Sequence, residues 1–550
     1  MKDKKIFLFI FLLFFSLAFE VNAATFSYYF SNAGSDSAGT GTQVSPWATL
    51  SKAQSAVNSH TSSDTVFIYF ARGSKWSANT AAVKATAVFG LSIGANSPIV
   101  NIDAYGTGSK PIFDGQVTDF SSVPVHNATS GPFRWSRWFE IRRTNCSIKN
   151  VEIRNTYGSG VYLDYYSGNG DYLTLSNLLI HNFGDAGIGT THGAQNVVVE
   201  YSTFHTGQQL FRFSKVNGWG GAITLSKASG TRASKDNHVH HNIIYDIMGE
   251  GIIVGNSTTE FNVIGDTCST GIMAGTHNYD GFTANTRYNF LIQSSYSTSA
   301  YTYCPYWEGN GVPVGIRIYD DAVGGNNATA NYSVYGNIMI NRAVGFWFFS
   351  PEDLNNPYGT VKIYNNTVID SRDANYRFLH ANQAKNAYIY NNSSILYDRT
   401  TGVHVQDDGT FPAADCRISN NHFWTTGGAP VVDSNWRTNY VVGDPKLPGE
   451  PSINWIGQSG SSYFMNIELT RDLYPASDSP LFGRGMRLDS SFSNIYLTTG
   501  SKFDLSPAKA ILLTTTITAN TPWHLGAFAP SASSAISPIP PPSGVTIDIK

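Results

Sequence analysis

The sequence predicts an all-β solenoid, on three observations. A short phrase recurs at near-constant spacing, a second phrase follows it, and the composition suits strands and turns. The first phrase reads Tyr332-Ser-Val-Tyr-Gly-Asn-Ile-Met-Ile, Val361-Lys-Ile-Tyr-Asn-Asn-Thr-Val-Ile, Ala387-Tyr-Ile-Tyr-Asn-Asn-Ser-Ser-Ile and Cys416-Arg-Ile-Ser-Asn-Asn-His-Phe-Trp. Its asparagines at 337, 366, 392 and 421 lie 29, 26 and 29 residues apart. A period of that length marks a repeat architecture, and a unit of short alternating strands without a helix is one coil of a solenoid. The second phrase is glycine followed by alternating apolar residues: Gly160-Val-Tyr-Leu, Gly187-Ile-Gly, Gly221-Ala-Ile-Thr-Leu, Gly251-Ile-Ile-Val, Gly271-Ile-Met-Ala, Gly315-Ile-Arg-Ile, Gly345-Phe-Trp-Phe and Gly402-Val-His-Val. It reads as the third strand of each coil. Of 550 residues, 51 are glycine and only 14% are charged. A compact core rarely grows with such a length, but a solenoid coil contacts only its neighbours.

Residues 1–23 read as a signal peptide. Lys2, Lys4 and Lys5 precede the apolar run Ile6 to Phe19, and Val21-Asn22-Ala23 offers a small-residue cleavage site. No later stretch is apolar and long enough to span a bilayer, so the expected location is outside the cell or on its surface. The net charge is −3 with no basic patch, which argues against a nucleic-acid partner. Four cysteines are too few for a disulfide scaffold; Cys268 and Cys304 are a candidate pair.

Residues 24–137 read as an N-terminal cap with the first strands. Phe26-Ser-Tyr-Tyr-Phe is a strand. Ser45-Pro46 is placed to open a helix, with Trp47, Leu50, Ala53 and Val57 on one apolar face that would cover the solenoid's open end. Val66-Phe-Ile-Tyr-Phe, Ile99-Val-Asn-Ile and Pro111-Ile-Phe are early strands. Regular coils are expected over 138–443, where Asn150 and Asn177 fit the first phrase 27 residues apart. Asparagines repeated at one turn stack as a hydrogen-bonded ladder. Two insertions, Thr206 to Gly220 and Ile292 to Pro313, each enter just before a glycine strand and should overhang the same face. Residues 444–530 read as a closing segment, and the Pro/Ser-rich 531–550 as a tail or linker. Nothing suggests an oligomer interface, so a monomer is expected.

The opening Tyr28-Tyr-Phe-Ser-Asn-Ala-Gly-Ser-Asp-Ser with Ser45-Pro-Trp-Ala-Thr-Leu resembles the start of secreted right-handed parallel β-helix proteins of the pectate-lyase-like type. Gly443-Asp-Pro, Ser479-Pro-Leu-Phe-Gly-Arg-Gly and Leu525-Gly-Ala-Phe resemble their C-terminal segment. With the coils, the resemblance spans nearly the whole chain after the leader. It implies a right-handed parallel β-helix with an N-terminal capping helix and a C-terminal closing segment. It does not fix an activity, since this scaffold hosts lyases, hydrolases, epimerases and non-catalytic surface proteins.

Chemistry is expected where equivalent side chains of successive coils line up. Strand alternation puts Ile316 and Ile318 inward and Arg317 and Tyr319 outward. The outward column is then Thr224, Ile253, Met273, Arg317, Trp347, Arg377 and His404. The turn after it carries Asp280, Asp320, Asp321, Glu352 and Asp353, later Asp407 and Asp408. These acids suit a solvated turn, a Ca²⁺ site, or an acid/base pair for glycoside hydrolysis. Arg317 and Arg377 suit uronate carboxylates, as neutraliser or base, and His404 suits a proton shuttle. Glu250, flanked by glycines, is a further candidate acid. Trp219, Trp307, Trp347 and Tyr319 are candidates for sugar stacking, and Lys227 for an acidic sugar. His238 and His240 share a strand face and are a metal candidate, against a structural role. The functional expectation is a polysaccharide lyase acting on an acidic glycan by β-elimination, with Ca²⁺ as a candidate cofactor. The alternatives are a glycoside hydrolase using a carboxylate pair, and a non-catalytic glycan-binding or matrix protein.

Overall fold

The computed structural model describes residues 23–78, 88–122, 136–163, 170–190, 193–212, 220–226, 234–275, 283–293, 313–319, 331–340, 342, 344–349, 358–371, 374–379, 384–397, 403–407, 416–427, 432, 436, 439–447, 453–456, 466–469, 475–486, 488, 492, 495–498, 514–517 and 524–527. Three long parallel sheets run side by side along the chain: sheet I with 13 strands, sheet II with 11 and sheet III with 13. Each coil visits them in the order II, I, III. One coil, for instance, uses Glu250–Val254, Asn256–Glu260 and Val263–Thr267. Strands of one sheet come from consecutive coils, which is the topology of a parallel β-helix.

Coiling starts earlier than the sequence repeat shows. Thr25–Phe30 is already the edge strand of sheet I, paired in register with Thr65–Ala71. The α-helix is shorter than expected, Leu50–Asn58, with Thr49 as N-cap accepting from the Lys52 N–H. Ser45, Pro46 and Trp47 stay outside it because the Trp47 backbone bridges the first strand: its N–H donates to Tyr29 O at 3.0 Å and its C=O accepts from Ser31 N–H at 2.8 Å. The helix does cover a sheet end. Gln54 donates to Ser92 O (3.1 Å) and accepts from the Ser92 N–H (2.8 Å), which satisfies the edge strand Val88–Ile93 of sheet II.

The interior is a continuous apolar stack, with Ile148, Ile153, Val161, Ile180, Phe204, Ile252, Ile264, Ile316, Phe346 and Val368 among its fully enclosed members. Each such side chain contributes about 1.5–3 kcal/mol on burial. The glycine phrase has a packing cause. A Cβ on Gly251 would lie 3.2 Å from Ile264 Cγ2, and one on Gly345 would lie 2.2 Å from Val368 Cγ1. At this corner sheet II folds so tightly onto sheet III that only glycine fits.

The asparagine ladder is present and longer than the four copies suggest. Asn242, Asn262, Asn289, Asn337, Asn366, Asn392 and Asn421 stack in successive coils, each Nδ2 donating to the next Oδ1 at 2.9–3.0 Å. Asn150 and Asn177 stack on each other as expected, Asn177 Nδ2 donating to Asn150 Oδ1 at 2.6 Å, but in a separate column at the preceding position, in left-handed conformation at φ 59° and 51°. Val151 and Leu178 take the inward place instead, so those coils close with apolar packing. The same left-handed column continues through Tyr201, His241, Phe261 and Tyr288, whose rings stack at 5.0–5.1 Å.

The C-terminal segment lies along the outside of sheet III. Leu447, Leu481, Leu525 and Ala527 cover the outward residues Ile338, Ile340, Ile369 and Ile395. The Asn391 side chain holds Met486 at both its N–H (2.7 Å) and C=O (2.9 Å). Among the described residues no helix is long and apolar enough to cross a membrane. Cys268 is disulfide-bonded, whereas Cys146 and Cys416 take part in no disulfide.

Candidate functional site

Strand pairing builds the outward column of sheet II residue by residue. In register it runs Glu140, Tyr162, Gly189, Thr224, Ile253, Met273, Arg317, Trp347, Arg377, Gln406. The expected neighbours Arg317, Trp347 and Arg377 are therefore adjacent, one coil apart at about 4.8 Å per step. Guanidinium carbons stand over the Trp347 ring from both neighbouring coils, Arg317 at 4.7 Å and Arg377 at 5.2 Å from its centroid. Arg377 Nε also donates to Gln406 Oε1 at 2.8 Å. Trp347 thus packs between the two guanidinium groups.

His404 is not on this column. Val405 pairs with Tyr376 and Gln406 with Arg377, so Gln406 takes the place expected of His404. The phrase beginning at Gly402 is offset by two residues, and His404 stands where the other coils carry Gly315 and Gly345. It is fully buried there, with Nδ1 2.6 Å from Ser394 Oγ and Nε2 2.8 Å from Thr425 Oγ1. Burial lowers its pKa to about 3, with His422 adding to the shift. A neutral, enclosed imidazole at that corner is a structural link, not a proton shuttle.

Glu250 is brought to the arginine cluster. It opens the strand Glu250–Val254 and is fully buried. Gly251 and Ile252 both face the interior, so the regular alternation of the strand breaks between them. Burial raises its pKa to about 7, against weaker opposing effects of its own backbone N–H, the Ser269 hydroxyl and Arg317. Ser269 Oγ donates to Oε1 at 3.3 Å, while Oε2 is buried without a hydrogen bond. Thr224, Gln208 and Thr270 bring further enclosed hydroxyl and amide groups to the same turn. A carboxyl that changes charge near neutrality within electrostatic reach of Arg317 can exchange a proton with a bound group.

Several expected residues lie outside the described ones: Trp219, Lys227, Asp280, Trp307, Asp320, Asp321, Glu352 and Asp353. Tyr319 is described in its backbone, which pairs with Phe349. His238 and His240 do share a face, but on sheet I, and each is spent on a carboxylate. His238 Nε2 is 2.8 Å from Glu260 Oε1, and His240 Nε2 is 3.3 Å from Glu200 Oε2. Arg287 Nε joins Glu260 at 2.5 Å. Among the described residues no group of three or more His, Cys, Asp or Glu is arranged to hold a metal ion.

Sequence reasoning missed Gln208 and Ser269. Ser269 has a faint signal, since it stands one position before the Thr270-Gly271 strand as Gly249 stands before Glu250. Gln208 has none, because it lies within an insertion that breaks the period.

Among solved structures, a pectate lyase is 14% identical, with 88% of this chain and 96% of that chain covered and a TM-score of 0.46. A rhamnogalacturonan lyase is 14% identical, covering 74% and 89%, with a TM-score of 0.43. An alginate lyase from Paenibacillus sp. is 13% identical, covering 72% and 97%, with a TM-score of 0.36. No curated protein sequence matches the chain. Residues 139–292 match the family described as the right-handed β-helix region, and the fold is accordingly a right-handed parallel β-helix.

Proposed function

We propose that the protein is an exported polysaccharide lyase that binds an acidic glycan along the outer column of sheet II. The observation that carries this reading is the Arg317–Trp347–Arg377 stack, with Glu250 within electrostatic reach of Arg317. The indole fixes two guanidinium groups at successive coil steps, a spacing suited to carboxylates repeated along a chain. Arginine neutralises a uronate carboxylate and so acidifies the C5 proton. Glu250, poised near neutrality, is the group that manages the proton as C5–H breaks and the C4–O leaving group departs.

A hydrolase needs two carboxyls about 5–9.5 Å apart. Among the described residues the column itself carries one carboxyl, Glu140, already bonded to Arg137 and Arg142. At the Glu250 turn a second carboxyl is Asp185, whose Oδ1 would lie 3.5 Å from a Cβ on Gly220, and it is the partner a hydrolase would use. Calcium belongs to the proposal through Asp280, Asp320, Asp321, Glu352 and Asp353, the acids the sequence assigns to it.

The test is ultraviolet absorbance of the unsaturated uronate product, for the mature protein against a panel of acidic polysaccharides, with and without calcium. A rising signal is expected, and Arg317→Ala should lower kcat/KM by about 10²–10³-fold. Reducing ends released without absorbance would establish hydrolysis. Retention on the glycan with neither product would establish a binding protein.

A further inference from the structure

Gln208 is enclosed at the turn where Glu250 begins its strand. It follows the sheet III strand Thr203–Gly207, in left-handed conformation at φ 55°, and is fully buried. A non-glycine residue held there is strained, and such strain persists where surrounding structure enforces it. Neither Oε1 nor Nε2 has a hydrogen-bond partner. A buried amide with both atoms unspent calls for a specific cause.

Two glycines make room for that amide. A Cβ on Gly249 would lie 2.1 Å from Gln208 Oε1 and 3.0 Å from Nε2, and one on Gly220 would lie 2.9 Å from Nε2. The amide therefore lies against the Gly249 backbone. The Glu250 carboxyl is held at the same turn: Ser269, whose N–H donates to Gly249 O at 3.2 Å, places its Oγ 3.3 Å from Oε1. The two side chains are thus enclosed at one turn, from adjacent coils. Oε2 of Glu250 is buried without a partner, and so is Nε2 of Gln208. Neither has a hydrogen bond to give up in order to form one with the other.

We infer that Gln208 is a positioning residue for Glu250: its Nε2–H is the donor that holds Oε2 of the ionised carboxylate, and Gly220 and Gly249 are glycine so that the amide can reach it. The role deepens the reading of Glu250 as the proton-handling group, and rests on that reading for its catalytic meaning. Its physical content does not. A donor stabilises the carboxylate over the carboxylic acid, so it eases release of the proton at neutral pH. The amide also fixes which oxygen carries the proton.

The experiment is an infrared titration of the Glu250 carboxyl in the full protein, with the band identified by its loss in Glu250→Gln. Gln208→Met keeps the side chain's length and removes the donor. It should raise the titration midpoint by about one unit, tenfold in proton affinity. Gly249→Ala, which displaces the amide with its methyl group, should move the midpoint the same way. In a catalytically active protein, the pH profile of kcat/KM should shift alkaline by the same amount. An unchanged midpoint in both variants overturns the inference, whatever the activity. A shifted midpoint in a protein that cleaves no glycan leaves the contact standing and removes the lyase reading alone.

Discussion

Two sets of buried polar side chains run through the same coils and are treated in opposite ways. The asparagine ladder uses every atom it has. Asn337 Oδ1 accepts from the Asn289 N–H and Nδ2, both at 3.0 Å, while its Nδ2 donates to Thr286 O, Tyr335 O and Asn366 Oδ1. The turn at Glu250 leaves capacity unspent, at Glu250 Oε2 and at both amide atoms of Gln208. Satisfied polar groups specify a coil's register; unsatisfied ones cost free energy and persist where something other than stability keeps them.

The largest expected effect lies in the ladder. Asn337→Ala strips five hydrogen bonds at once and strands groups in three coils. Urea denaturation should show a loss of roughly 3–5 kcal/mol. Asn177→Ala, at the left-handed position just outside the ladder's inward column, should cost only about 1–2 kcal/mol. Equal losses would erase the distinction between the two columns.

The opposite sign is expected at Glu250. Its pKa is raised from the ordinary 4.5 to about 7 by burial. Between those values the unfolded chain has released the proton and the folded chain keeps it. Stability therefore falls as pH rises through this window and levels off above about 7, a loss of about 3 kcal/mol. Glu250→Gln carries no such penalty. It should match the parent protein in acid and exceed it in stability above neutrality, while losing activity. A variant less stable than the parent at every pH would place Glu250 with the ladder.

The difference between ladder and site also explains what the sequence could show. Asn337, Asn366, Asn392 and Asn421 recur because each coil needs the same closure, so periodicity exposes them. Arg317, Trp347 and Arg377 were legible because strand alternation fixes their side. Gln208 was hidden since its insertion has no counterpart in other coils. The offset at His404 has a related cause. Glycine marks the start of the strand in most coils, but after Gly402 the corner is filled by Asn375 and His404, whose side chains bond across it through Ser394. Once the corner admits a larger polar side chain, glycine no longer reports the register. Asn150 and Asn177 form their hydrogen bond one position earlier than the inward ladder, because asparagine suits both the left-handed position and the inward one.

His404 gives a third test, confined to acid. Burial holds its pKa at about 3, below the ordinary 6.5. The folded chain keeps it neutral while the unfolded chain takes up a proton, so stability is complete above about 6.5 and lost as pH falls. At pH 5 this share amounts to about 2 kcal/mol. His404→Gln can still bond Ser394 and Thr425 and should flatten the acid limb of the stability curve without altering the neutral plateau. Loss of glycan cleavage with unchanged stability would instead return His404 to the groove.

The smallest stability effect is expected at Trp347, and it is the most informative about the site. Two partly exposed cation–π contacts are worth about 0.5–1 kcal/mol each, so Trp347→Leu should cost on the order of 1–2 kcal/mol. Leucine fills the column but offers no π face, so the two guanidinium groups lose their alignment. If aligned charge is what binds the glycan, affinity should fall as steeply as in Arg317→Ala despite the modest loss of stability, and Trp347→Phe should recover part of it. If a sugar stacks on the indole itself, removing the arginines would free its faces, and Arg317→Ala would bind more tightly than the parent. The two outcomes have opposite signs, so one titration of oligosaccharide into the two variants decides whether Trp347 serves the arginines or the sugar.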